Sequence, residues 1–255
     1  MTSVTIITAC LATSADYIKE CEASVNRLKN VTSLNIQWVL VWDGAVNGAP
    51  VETTADVVLV LRKQRGVATA RNIALTAATG EYLINLDGDD EIDMAGVEEA
   101  IKVLEEETEL GWVAANRVLT TGEKTVHWHG ERDWEVGSVA SEWSAPMAFH
   151  SNTCVMRTNL IRLVGGWGAL GPCQDLFLTL KLSEISPGRS IESILIRYRS
   201  WDLQATKGAT FREEQLLSYQ FIEQSINAIR ASYGRATISH PVPLGGLGAN
   251  PVGQN

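Results

Sequence analysis

The chain of 255 residues is 45% apolar and 20% charged, which provides for one large core with at most a small subdomain and excludes a disordered polymer. Its formal net charge of −9 argues against a general nucleic-acid binder, because a phosphate backbone demands a basic face. Cys10, Cys21, Cys154 and Cys173 show no C-x-x-C spacing, so neither a zinc site nor a disulfide framework is expected, and they read as reduced thiols of a cytoplasmic protein.

The N-terminal "MTSVTIITAC" lacks a basic segment leading into a long apolar one, and no run of about eighteen apolar residues follows anywhere, so the expectation is a chain neither exported nor membrane-spanning. "VTIIT" (Val4 to Thr8) reads as a buried strand. Asp16 is placed to cap a helix whose Ile18, Cys21, Val25 and Leu28 recur at helical spacing. "IQWVLVW", ending at Asp43-Gly44, and "DVVLVL" read as the second and third strands. "RKQRGVATARNIALTAATG" follows as an Ala-rich helix with Gly80 as its expected C-cap. "EYLINL" is the fourth strand, and a helix then carries Val97, Ile101 and Leu104 inward with Glu98, Glu99, Glu105 and Glu106 outward. "GWVAAN" reads as a fifth strand joined through the turn "TTGEK" to "TVHWH". This alternation is that of a sheet with parallel strands and crossover helices.

The second half is less regular. "ESILIRY" reads as a strand, and Phe211 to Gly234 as a long amphipathic helix with Leu216, Ile222, Ile226, Ile229 and Tyr233 on one side. A Pro- and Gly-rich tail, residues 236–255, closes the chain. No internal repeat or low-complexity linker marks a second domain, so residues 1–235 are expected to form one unit.

The chemistry concentrates in "LDGDDEID". Asp87, Asp89, Asp90, Glu91 and Asp93 crowd into seven positions, and such charges repel unless a cation or water separates them. In open α/β sheets ligands collect outside the carboxyl ends of strands, where Thr8 to Cys10, Asp43-Gly44 and this cluster all fall. Asp-x-Asp after a sharp strand end suits Mg²⁺ or Mn²⁺, which prefer oxygen ligands. A calcium loop is the nearest rival, since Asp87, Asp89, Glu91, Asp93 and Glu98 match its ligand spacing. It fails because Ile92 occupies the sharp-turn glycine position and a strand precedes. A solvated loop capping the next helix through Asp93 is the other alternative.

The segments "TIITACLATSADYIKECEASV", "VLVWDGAV", "RGVATARNIALTAATGEYLINLDGDDEID" and "VMRTNLIRLVGGWGALGPCQDLFLTLKL" resemble, in order and near spacing, the family 2 nucleotide-sugar glycosyltransferases over most of residues 3–207. The resemblance implies an α/β GT-A fold, a Rossmann-like mixed sheet flanked by helices, with a donor half at 1–116 and an acceptor half at 117–235. It also implies transfer of a sugar, with inversion, from a nucleoside diphosphate, most often UDP, to a hydroxyl or amine. Thr8, Ala9, Asp43, Arg71, Asp87 and Gly88 then fall in the nucleotide-sugar site, with Asp43 reading the base and Asn72 beside Arg71 on the donor wall. Asp89 with Asp87 would hold Mn²⁺ or Mg²⁺, and Asp175 would be the general base. For Arg71 a helix-surface ion pair is the competing reading, and for Asp175 an N-cap of the "LFLTLKL" helix.

Three positions depart from the family pattern: Trp42 precedes Asp43 where relatives show a second aspartate, Gln174 replaces a glutamate, and Trp201-Asp202 stands near a customary histidine. These keep open a non-catalytic nucleotide-sugar binder of the same fold. A nucleotidyltransferase would need a Gly-rich, Arg-bearing loop after the first strand, which "TACLATSAD" lacks. Trp128, Trp134, Trp143, Trp167 and Trp201 suit sugar faces, although a core position is the default for each, and His127, His129 and His150 read as ordinary loop or core residues. The absence of an evident membrane anchor favours a small soluble acceptor.

Overall fold

The computed structural model describes residues 1–124, 129–143, 149–201 and 210–239. Strands β1 (Ser3–Leu11), β2 (Asn35–Asp43), β3 (Val57–Leu61) and β4 (Tyr82–Asn85) are mutually parallel, in the order β3-β2-β1-β4. In β1, β2 and β4 the apolar runs show no polar alternation because both faces are covered, whereas β3, at the sheet edge, leaves Val58 and Val60 exposed. Val4, Ile6, Trp38, Leu40, Trp42, Tyr82 and Ile84 enter one core, while Ile7, Val39, Val41 and Leu83 enter the other.

Helices α1 (Ile18–Val31) and α3 (Met94–Glu106) cover the first face. The opposite face is covered by α2 (Val67–Ala77), α4 (Ser138–Ser141), α5 (Thr158–Leu163), α6 (Gln174–Ser183) and α7 (Phe211–Ser232). Beyond β4 the sheet becomes mixed: β8 (Cys154–Arg157) lies antiparallel between β4 and β6 (Trp112–Leu119), and β6 runs parallel to β9 (Gly188–Tyr198). Two short strands, β5 (Glu91–Ile92) and β7 (Arg132–Trp134), pair antiparallel with the two ends of β9. The expected α/β mixed sheet flanked by helices is therefore present.

Two expected caps are corrected. Asp16 lies inside a 3₁₀ turn, Ala12–Tyr17, and α1 begins without any side-chain cap. Gly80 is not the C-cap of α2, which ends at Ala78 in extended backbone. A Cβ on Gly80 would stand 2.4 Å from the Thr5 backbone nitrogen, so the glycine answers to the close approach of β1. Asp93 does cap α3, its Oδ1 accepting from the Ala95 N–H at 3.2 Å. Of the α7 stripe, Ile222 and Ile226 are fully buried but Tyr233 is exposed.

Trp134, Trp143 and Trp167 are core residues, whereas His127, Trp128, Asp202 and residues 240–255 lie outside the described residues. The first tail residues are tied down, since Asn227 exchanges two hydrogen bonds with the Ile238 backbone. Glu184, just past α6, is fully buried; its carboxylate accepts from Arg230 and Arg235, each at 2.6 Å.

Candidate active site

The chain leaves β1 toward β2 and β3 on one side and returns as β4 on the other, so the loops after β1 and β4 flank a switch point, the place where open α/β sheets gather ligands. The two loops touch: a Cβ on Gly88 would lie 2.9 Å from the Cys10 sulfur. Thr8 sits within β1, fully buried, its hydroxyl accepting from Trp38 Nε1 at 3.0 Å, while Ala9 is half-buried nearer the strand end. Asp43 ends β2 and is buried; its two oxygens accept the N–H groups of Arg65 at 2.7 Å and Gly66 at 2.8 Å. That carboxylate thus fixes the entry to α2, which is why the helix starts at Val67 and not at the preceding basic residues.

Arg71 reaches from α2 to the loop after β4. Its guanidinium is 2% exposed and donates to Asp87 Oδ1 at 2.6 Å through one nitrogen and to Asp175 Oδ1 through another. The sequence left open a surface ion pair; the structure shows a buried bridge joining the acidic loop to α6. Burial opposes the Arg71 charge, but Asp175 and Asp87 outweigh it and hold the guanidinium charged. Asn72 faces elsewhere and clamps the Trp167 backbone, donating to its carbonyl at 2.8 Å and accepting from its N–H at 2.9 Å.

Asp175 occupies the first turn of α6, behind the cap position held by Cys173, so the N-cap reading does not apply. Its side chain is 21% exposed. Burial pushes its carboxyl above the ordinary carboxylate value, Arg71 opposes, and the charge of Asp87 adds to the rise. A carboxylate with raised basicity and some access to solvent is suited to accept a proton.

The remaining acids of the loop are each engaged. Asp89 Oδ2 accepts from Trp201 Nε1 at 2.8 Å, and Asp90 Oδ1 accepts from the Arg199 N–H at 2.9 Å. Burial, then Asp87 and Asp89, pushes the Asp90 carboxyl well above its ordinary value. Asn85 donates to Asp87 Oδ1 at 3.4 Å. Asn85 Oδ1, Asp90 Oδ2, Arg71 Nε and Gln174 Oε1 are buried without a partner among the described residues. These four atoms fall on the acidic loop and the strand end before it, its Arg71 bridge and the start of α6, where ligand or solvent can complete them; Trp42 Nε1, Thr53 Oγ1, Arg117 Nε and Thr158 Oγ1 are in the same condition.

Sequence reasoning missed the distinct role of Asp90, the grip of Arg199 on the loop and the bond from Trp201 to Asp89. The only signal in the chain was the polar "YRSW" at the end of an apolar strand. Among the described residues no group of three or more His, Cys, Asp or Glu is placed to hold a metal alone. Asp87 and Asp89 offer the hard oxygen donors a Mg²⁺ or Mn²⁺ prefers, and the mutual repulsion expressed at Asp90 is what a cation would relieve. The residues therefore fit a divalent metal that takes most of its shell from elsewhere.

Comparison with known proteins supplies a family. The family described as "Glycosyl transferase family 2" matches residues 5–165. No curated protein sequence matches. Among solved structures, Staphylococcus aureus (S. aureus) TarS 1-349 superposes with a TM-score of 0.62 at 15% identity, covering 90% of this chain and 65% of its own. The same TarS fragment in complex with UDP-GlcNAc gives 0.61 at 17% identity, with 91% of this chain and 71% of its own covered. The mannosyltransferase PcManGT from Pyrobaculum calidifontis, in complex with GDP-Man and Mn²⁺, gives 0.59 at 19% identity, covering 92% and 65%. At these identities the likeness is one of fold, the GT-A glycosyltransferase fold, and the chain spans under two thirds of the first of these structures.

Proposed function

From the premise that the chain belongs to glycosyl transferase family 2, we propose that it transfers a sugar, with inversion and in a metal-dependent reaction, from a nucleoside diphosphate to a hydroxyl or amine of a small acceptor. The observation that carries the reading is the Arg71 bridge. It brings Asp87 of the acidic loop and Asp175 of α6 onto one guanidinium beside the switch point of the sheet. UDP is the favoured nucleotide, since TarS was solved with UDP-GlcNAc, and GDP is the alternative that PcManGT suggests.

Asp87 and Asp89 would hold the Mn²⁺ or Mg²⁺, which when bound neutralises the charge that develops on the departing diphosphate. Thr8, through its backbone, Ala9, Asp43 and Gly88 line the strand ends on the donor side. Asp43 reads the base while it anchors Arg65 and Gly66. Asp175 accepts the proton of the acceptor as its oxygen or nitrogen attacks the anomeric carbon opposite the leaving group. The bond to the diphosphate breaks as the new glycosidic bond forms. Arg71 holds Asp175 in position, and its charge limits how far the basicity of that carboxylate rises. Residues 1–116 serve the donor and 117–235 the acceptor. No helix among the described residues is long and apolar enough to cross a membrane.

The test is melting of the protein with UDP, GDP or dTDP, with and without Mn²⁺ or Mg²⁺. A ligand at about a hundred times its dissociation constant adds about 2.7 kcal/mol, which the melting temperature reports. A rise that needs nucleotide and metal together is expected. Failure of all three nucleotides with both metals would remove the donor site, and binding without turnover of a nucleotide-sugar would make the chain a binder.

A further inference from the structure

The last residues before position 202 lie over the acidic loop. Arg199 follows β9 and ties the loop, donating from its backbone N–H to Asp90 and from Nε to the Asp89 carbonyl at 3.1 Å. Trp201 then places its indole N–H 2.8 Å from Asp89 Oδ2. The ring is held from its other side by Tyr17, with centroids 5.0 Å apart, and Tyr17 in turn lies under the Arg199 guanidinium at 5.3 Å. The indole is thus held by a tilted ring contact, with an interplanar angle of 44°, while its one polar atom faces a side chain assigned above to a metal.

An indole nitrogen has no lone pair to give, because that pair belongs to the ring, so Trp201 donates a hydrogen bond and cannot ligate. A carboxylate carries about four lone-pair sites, and one donor takes one of them. We propose that Trp201 is a positioning residue for Asp89: it fixes the carboxylate rotamer through Oδ2 so that the group meets the diphosphate-bound cation in one geometry. It adds no ligand of its own, which leaves cation binding dependent on the nucleotide. This rests on the nucleotide-sugar reading given above. Partners that orient a metal ligand in this way contribute about 10–100-fold to metal affinity.

Two variants test it, read by the electron paramagnetic resonance signal of free Mn²⁺ with and without UDP. Trp201→Phe keeps an aromatic ring against Tyr17 and deletes the N–H. It should weaken Mn²⁺ binding in the presence of UDP by about tenfold. The donor KM should rise while kcat at saturating Mn²⁺ and donor is retained. Trp201→His puts a lone pair where the indole N–H was, so Mn²⁺ should bind measurably tighter than to the wild type without UDP. Wild-type Mn²⁺ affinity in Trp201→Phe, or no gain in Trp201→His, would overturn the positioning role while leaving the donor site intact. Failure of the wild-type protein itself to bind Mn²⁺ with UDP would overturn the donor-site reading and this inference with it.

Discussion

Replacing Arg71 by methionine isolates the bridge on which the site is built. The guanidinium is 2% exposed and serves two carboxylates, Asp87 and Asp175, whose side chains are 31% and 21% exposed. Removing one partner of a fully buried ion pair costs about 3–5 kcal/mol because the other charge is left behind. Here both carboxylates keep some contact with water, which lowers the expected loss to about 2–3 kcal/mol. For a chain of this length each kcal/mol moves the melting temperature by about 2–4 °C, so Arg71→Met should melt roughly 5–10 °C lower. The deficit should shrink as pH falls, since protonating the stranded carboxyls removes their repulsion. Adding Asp175→Asn to Arg71→Met should recover part of the loss, so that the two changes fall short of additive by about 1 kcal/mol. Melting curves of Arg71→Met, Asp175→Asn and the double variant at pH 5 and pH 8 provide the measurement. A melting temperature within about 1 °C of the wild type, or a deficit equal at both pH values, would refute the bridge as a source of stability.

Three further outcomes are expected. Asp175→Asn should lower sugar transfer by about 10²–10⁴ with little change in melting, and wild-type transfer should itself decline as pH drops through a value above the ordinary carboxylate range, because burial and Asp87 raise that group. A stable Asp175→Asn variant with unchanged turnover would remove the base. Asp90→Asn should raise the melting temperature of the metal-free protein at neutral and alkaline pH: the folded-state value of Asp90 is raised, so the folded form binds its proton more tightly and loses stability as pH rises, and an amide ends that loss. A pH-independent difference between the two proteins would contradict this. Gly80→Ala should cost about 1–3 kcal/mol, the scale for an overpacked core, since its Cβ meets the β1 backbone; an unchanged melting temperature would contradict that packing.

The parts of the fold that could be read from sequence are those where several residues repeat one signal. The four apolar runs of the parallel strands and the faces of α1 and α3 belong here, and Asp93 is a cap set by its nearest neighbours. Strands of two, three and four residues, β5, β7 and β8, carry too little periodicity to register, and their pairing partners lie far along the chain. The same limit governs the site. The acidic loop announces itself by charge, but Asp87, Asp89 and Asp90 are the same residue in sequence; only the guanidinium, the indole and the backbone N–H brought by distant segments make them different. For Arg71 the sequence left a donor-side wall and a helix-surface ion pair side by side, and the partner that decides between them, Asp175 on α6, lies over a hundred residues later. Asp16 and Gly80 show the converse, where a familiar local signal was overruled by a 3₁₀ turn and by a neighbouring strand.

The buried carboxylate of Glu184 carries a consequence for how the chain is made. Its two arginine partners lie 46 and 51 residues further on, so during synthesis the layer formed by α4 and α6 exists for a time with this anion lacking its countercharge. Burying it then would cost several kcal/mol. Strands β1 to β4 meet no such debt, because they pair among themselves within the first 85 residues. The nascent protein is therefore expected to set strands β1 to β4 early and hold the other layer open until α7 arrives. Synthesis adds about 5–20 residues per second, so the interval between Glu184 and its two arginines lasts seconds.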